Sequence, residues 1–219
     1  MRRLLAPALV AVVVVILGVA QLVLPGIAAQ RLRDQLSRSG QVLSVQVSAF
    51  PAIELLWHHA DSVDIRLGSY TTASATHLGS TLHQSGDVDS LTASAREVRA
   101  GLLTLHDAVL RKRGATLSAT AVLTEADLRG ALPILQSVTP VASGNGQLTM
   151  RGTASLFGVT ASVDATVSTR DGAVVVAPDV PFGGLATVSV FSDPRISVRS
   201  IGATTLPGGF AVRGTAVLR

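Results

Sequence analysis

The sequence predicts an α+β fold in which helix packs on a mostly antiparallel sheet, and three observations predict it. Period-two alternation recurs from Val42 to Leu218: Val45, Val47 and Ala49 alternate with Ser44, Gln46 and Ser48, and Val63, Ile65 and Leu67 with Ser62, Asp64 and Arg66. Asp171-Gly172 and Pro207-Gly208-Gly209 fall between alternating runs, as hairpin turns do. Helical spacing is confined to the N-terminal end and to a short stretch after Leu123.

The chain of 219 residues opens with Met1-Arg2-Arg3, followed by an apolar run from Leu4 to Leu24 with no charge before Arg31. Twenty-one residues of helix span roughly 31 Å, close to the hydrocarbon core of a bilayer. Residues 1–26 are expected to be an uncleaved signal anchor, or a signal peptide cleaved near Gly18-Val19-Ala20, leaving Arg2 and Arg3 in the cytoplasm and exporting the rest. Residues 27–40 read as a helix leading into the domain. Ile27, Leu32 and Leu36 supply its apolar side, and Gly40 stops it. Residues 41–219 are expected to form a single domain.

Within that domain, one strand ends at Phe50-Pro51 and another begins near Ser62. Gly68 to Gly86, rich in Ser, Thr and Gly, reads as a loop or a weak edge strand. Asp87–Val98 and Thr116–Leu123 alternate as strands, with a bend expected from Gly101 to Gly114. Thr124 followed by Glu125 and Asp127 gives a helix an N-cap and acids in its first turn, so a helix is expected from Thr124 to about Leu132, before Pro133. From Gly146 a strand meander turns at Asp171-Gly172. Val180 to Leu185 reads as a loop, and Arg195–Thr204 is expected to pair with Phe210–Leu218. Strands built from Ala, Ser, Thr and Val, with only 3% aromatic residues, either pack tightly against a helix or leave volume for a ligand.

Composition excludes several chemistries. The net charge is +4, from 18 Lys and Arg against 14 Asp and Glu, and no basic run is interleaved with aromatics, so nucleic acid is not an expected partner. Without cysteine there are no disulfides, thiol nucleophiles or thiolate metal sites. His58 and His59 stand beside Asp61 and Asp64, but adjacent histidines diverge, and the group reads as a solvated helix end rather than a metal site. No serine sits in a Gly-x-Ser-x-Gly turn, no phosphate-cradling glycine loop carries a lysine, and the carboxylates are not paired. Neither an enzyme nor a cofactor is expected.

Two features remain. Arg111-Lys112-Arg113 reads as a solvated run, or as a contact for lipid phosphates at a pocket mouth or bilayer surface. The linker PAIELLW, Pro51 to Trp57, is too apolar for an ordinary turn. As a helical turn it places Ile53, Leu56 and Trp57 on one face, which with Phe50 either caps the core or covers an apolar cavity or bilayer interface.

The N-terminal segment and helix, the pattern of Val45, Val47, Phe50, Pro51, Val63 and Ile65, and the run LTEADLRGAL from Leu123 to Leu132 resemble the LmeA-like phospholipid-binding family. The meander with its Asp171-Gly172 turn and the closing hairpin are similar too, over about Ile27 to Arg219. Ala49 departs from the family, which usually has glycine there. The resemblance implies a long helix on a curved sheet, similar to tubular lipid-binding folds, around an apolar site for acyl chains. It implies a non-enzymatic protein of the cell envelope that binds anionic phospholipid and supports glycolipid or lipid assembly. Leu132, Ile134, Phe157 and Phe182 are then expected to line the site with Phe50, Ile53, Leu56 and Trp57, and Arg111, Lys112 and Arg113 to meet the headgroup. The alternative is a membrane-anchored adaptor whose apolar flap docks on an envelope enzyme.

Overall fold

A computed structural model of the chain describes residues 23–50, 55, 59–72, 88–100, 103–131, 135–144, 147–156, 159–179 and 187–219. Helix α1 covers residues 23–36 among these and ends where a turn at residues 37–39 precedes Gly40. Leu32 and Leu36 lie on the sheet, whereas Ile27 is 47% exposed and takes no part in that contact. Of the expected long helix, the described residues show 23–36. No helix among the described residues is long and apolar enough to cross a membrane, and nearly all of Leu4–Leu24 lies outside them.

Strands follow in the order β1 (Gly40–Ser48), β2 (Ala60–Thr72), β3 (Val88–Ala100), β4 (Leu103–Arg113) and β5 (Thr116–Thr124). Helix α2 is Glu125–Ala131, after which come β6 (Leu135–Gly144), β7 (Gln147–Leu156), β8 (Val159–Arg170), β9 (Ala173–Pro178), β10 (Val188–Phe191), β11 (Ile196–Leu206) and β12 (Gly209–Leu218). They form two sheets rather than the one expected. The first has the order β1-β2-β3-β4-β5-β12-β11 and the second β10-β9-β8-β7-β6. All pairs are antiparallel except β2 with β3, whose connection, residues 73–87, lies outside the described residues. Parallel neighbours need such a crossover rather than a tight hairpin.

Several expected boundaries move. The stretch after Gly68 continues β2 to Thr72, and the bend expected from Gly101 to Gly114 is mostly β4. Strand β6 went unread because Pro140 interrupts its pattern. It lies at the sheet edge, next to a register shift between Pro140 and Ala142, where a missing N–H leaves no ladder bond empty. Strand β10, four residues long, is too short for alternation to show.

Other local signals act as their chemistry dictates. Asp171 (φ 53°) and Gly172 (φ 82°) both take positive φ, so the β8–β9 hairpin turns in two residues with the twist its strands need. Thr124 caps α2: its Oγ1 accepts the Asp127 N–H at 3.2 Å, and the Thr124 N–H donates to Asp127 Oδ2 at 3.4 Å. Among the described non-glycine residues only Asp107 and Asp171 have positive φ, so Ala49, which is buried, needs none of glycine's freedom.

The second sheet lies against β11, and a core of Leu123, Leu128, Val138, Leu148, Ala203 and Phe210 joins the two sheets through α2. A separate core of Ala60, Val63, Ile65, Leu67, Leu91 and Ala95 sits under α1, with Leu55 of the PAIELLW linker packed against it. The seven-stranded sheet is thus covered at one end by a helix and at the other by a second sheet.

Candidate functional site

Strand register decides what the middle of the large sheet presents. Pairing carries one row across all seven strands: Val45, Ile65, Ala93, Leu110, Ala119, Gly214 and Ile201. Each residue of this row is apolar or glycine. One residue along, the opposite face carries Gln46, Asp64, Thr92, Arg111, Ser118, Thr215 and Ser200, every one polar. Side chains alternate in direction along a strand, so a period-two pattern kept in register by seven strands keeps this row apolar across the whole sheet. Buried Val63, Ile65, Leu91 and Leu117 identify that face as the inner one.

Cover over the inner row is thinnest at Ala119, which is exposed, whereas Ile65 is buried and Val45, Ala93, Leu110, Gly214 and Ile201 are half-buried. Here a cavity of about 360 Å³ opens, lined by Ala119, Gly214 and Ile201 of this row, by their strand neighbours Ser118, Thr120, Ser200, Gly202, Arg213 and Thr215, and by Gly144 of β6. The volume lies within the usual range for small-ligand pockets. The lining holds no residue of the PAIELLW linker, most of which lies outside the described residues.

The expected site residues divide accordingly. Ile53, Leu56, Trp57, Leu132, Ile134, Phe157 and Phe182 lie outside the described residues. Phe50 is 79% exposed at the end of β1, its N–H donating to Asp61 Oδ2 at 2.7 Å. The run Arg111-Lys112-Arg113 is not one solvated patch. Because it lies in β4, Arg111 and Arg113 are exposed on the polar face, while Lys112 points inward between Leu91 and Leu117 and is 2% exposed. Its Nζ donates to the Val88 carbonyl. Lys112 is thereby withdrawn from any headgroup contact at the surface.

Polar groups elsewhere hold the frame. His59, Asp61 and Asp89 bring ligand-type atoms within 4.8 Å of one another, Asp89 arriving from β3 and so invisible in local spacing. Asp64, grouped with them in the sequence reading, stands instead on the outer polar row. His106 Nε2 lies 3.0 Å from Asp127 Oδ2 beside the α2 cap. Partial burial pushes the Asp127 carboxyl up, but hydrogen bonds with Thr124 and His106, and attraction to His106, outweigh it and hold the group below its ordinary range. Arg151 donates to Asp164 through Nε and Nη2 at 2.6 and 2.7 Å, which lowers the carboxyl's pKa and raises that of the guanidinium. None of these groups borders the inner row.

The LmeA-like phospholipid-binding family matches residues 17–217, nearly the whole chain. The chain belongs to that family. Within this LmeA-like protein, sequence reasoning found the family from Val45, Phe50, Val63 and Ile65 but missed the centre of the inner row, Leu110, Ala119, Gly214 and Ile201. The one available signal was the run of small residues in β5 and β12, which fits close packing equally well. No curated protein matches the chain. Among solved structures it is similar to the STAR-related lipid transfer protein (fragment 25–204) from Xanthomonas axonopodis, with 9% identity and a TM-score of 0.21. That likeness covers 51% of this chain and 75% of the other, and is too distant to bear on the architecture.

Proposed function

We propose that this protein is a non-enzymatic binder of anionic phospholipid whose acyl chains lie along the inner row of the seven-stranded sheet, between α1 and the second sheet. The observation that carries the reading is the row itself, apolar across seven strands, least covered at Ala119 and backed by a wholly polar row. An apolar strip left open to water in a protein of this size marks a surface that something else covers. Membership of a phospholipid-binding family supports acyl chains as that cover.

In this reading Leu4–Leu24 holds the protein on the outer side of the cytoplasmic membrane, and its service is to envelope glycolipid or lipid assembly. Arg111 and Arg113 meet headgroups only where the polar face touches a bilayer, because they point away from the row. Purified protein, extracted without added lipid, is expected to carry phospholipid in native mass spectrometry and to take up phosphatidylglycerol from vesicles. Lipid-free protein with no uptake would sink the proposal.

The exposure of Phe50 favours a second reading, in which this end of β1 docks on an envelope enzyme. A photo-crosslinker at position 50 separates the two: a protein adduct supports docking, a lipid adduct supports the first reading.

A further inference from the structure

The inner row changes size along its length. Val45, Ile65 and Leu110 carry large side chains, with Ala93 among them; beyond Leu110 two small residues follow in succession, Ala119 with a single methyl group and Gly214 with none, before Ile201 closes the row. The cavity opens over that step. A Cβ built on Gly214 would meet only the Ser200 carbonyl oxygen, at 3.5 Å, an ordinary contact. The site is therefore empty for lack of a side chain and not because backbone crowds it. By contrast, a Cβ on Gly209 of the same strand would come within 2.4 Å of the Leu123 carbonyl oxygen, so that glycine is required by close approach. Glycine in a strand interior weakens it and lacks packing, so at position 214 the cost of glycine has no structural return.

Resting on the phospholipid reading above, we propose that the notch over Ala119 and Gly214, faced by Gly144, is an acyl-chain subsite that selects for chain length. A long saturated chain fills the notch with its distal methylenes, and a short chain leaves it unfilled. An unfilled apolar notch forfeits the burial of those methylenes.

The test uses the full chain and its Gly214→Val and Ala119→Val variants, competing distearoyl- against dimyristoyl-phosphatidylglycerol from mixed vesicles, read by native mass spectrometry. Valine suits a strand at both positions, and circular dichroism with thermal melting verifies the fold. Wild-type protein is expected to prefer the longer lipid, and each variant to lose about tenfold of that preference, the worth of roughly two buried methylenes. Folded variants that bind lipid with wild-type chain preference would overturn the notch alone. Wild-type protein that binds neither lipid would overturn the phospholipid reading itself.

Discussion

A single charge placed on either face of β5 gives the sharpest test of where lipid lies. Ala119 and Thr116 lie in one strand, both exposed, with side chains on opposite faces. Ala119 stands between Leu110 and Gly214 on the inner row and lines the cavity, and Thr116 stands between Arg113 and Val217, outside the lining. In Ala119→Glu the added side chain enters a cavity of about 360 Å³. Displacing two or three acyl methylenes there costs about 2 kcal/mol, or roughly thirtyfold in Kd. A carboxylate held against hydrocarbon adds about 1–3 kcal/mol, bringing the loss to at least about a hundredfold. Because position 119 is open to water without lipid, the fold itself should tolerate the change. Thr116→Glu places the same charge beside Arg113, where an exposed pair is worth under about 1 kcal/mol, and binding should change less than about threefold. The assay is fluorescence anisotropy of a chain-labelled phosphatidylglycerol titrated with each protein. Ala119→Glu binding as tightly as wild type, or Thr116→Glu losing as much, would refute the assignment of the inner row.

Other consequences concern the frame. Asp127→Asn should reduce stability at neutral pH and flatten its acid dependence: the folded pKa is depressed, so the contribution is present above the unfolded value of about 3.9 and lost as pH falls through the folded value. Melting curves from pH 7 down to about pH 3 show this, and a wild-type-like slope in the variant would contradict it. Thr124→Ala removes the α2 cap and should cost about 1 kcal/mol in urea unfolding. Gly172→Ala sets a methyl group 2.8 Å from Ser197 Oγ at φ 82°, and should lower the melting temperature by several degrees for a cost of about 1–2 kcal/mol. Phe210→Ala, at a side chain only 1% exposed that joins the two sheets, should cost about 3–5 kcal/mol, read from the urea midpoint. A loss under about 1 kcal/mol would mean that the sheets do not share that core.

Much of the fold was legible because its signals are local. Alternation gave β1, β2, β3, β5 and the closing pair. Asp-Gly gave one hairpin, and Thr124 with its acids gave α2. Strand β4 escaped because Asp107 takes positive φ and the β4–β5 register shifts between His106 and Val109, which breaks the pattern that would reveal it. Reading Arg111-Lys112-Arg113 as a surface run failed for the same reason, since only a strand assignment shows that Lys112 turns inward.

The sequence by itself determined most of the strands, their polar and apolar sides, the Asp-Gly turn and the family, because each rests on neighbours within a few residues. It left open whether the small inward residues make room for tight packing or for a ligand. Tertiary structure shows close packing in one place and a cavity in another. Leu32 and Leu36 of α1 pack on the first strands, while Ala119 of β5 and Gly214 of β12 border a cavity. Register across seven strands and the position of the second sheet set this difference. Pairing between residues as distant as Ala119 and Gly214 fixes both, and no local pattern records it.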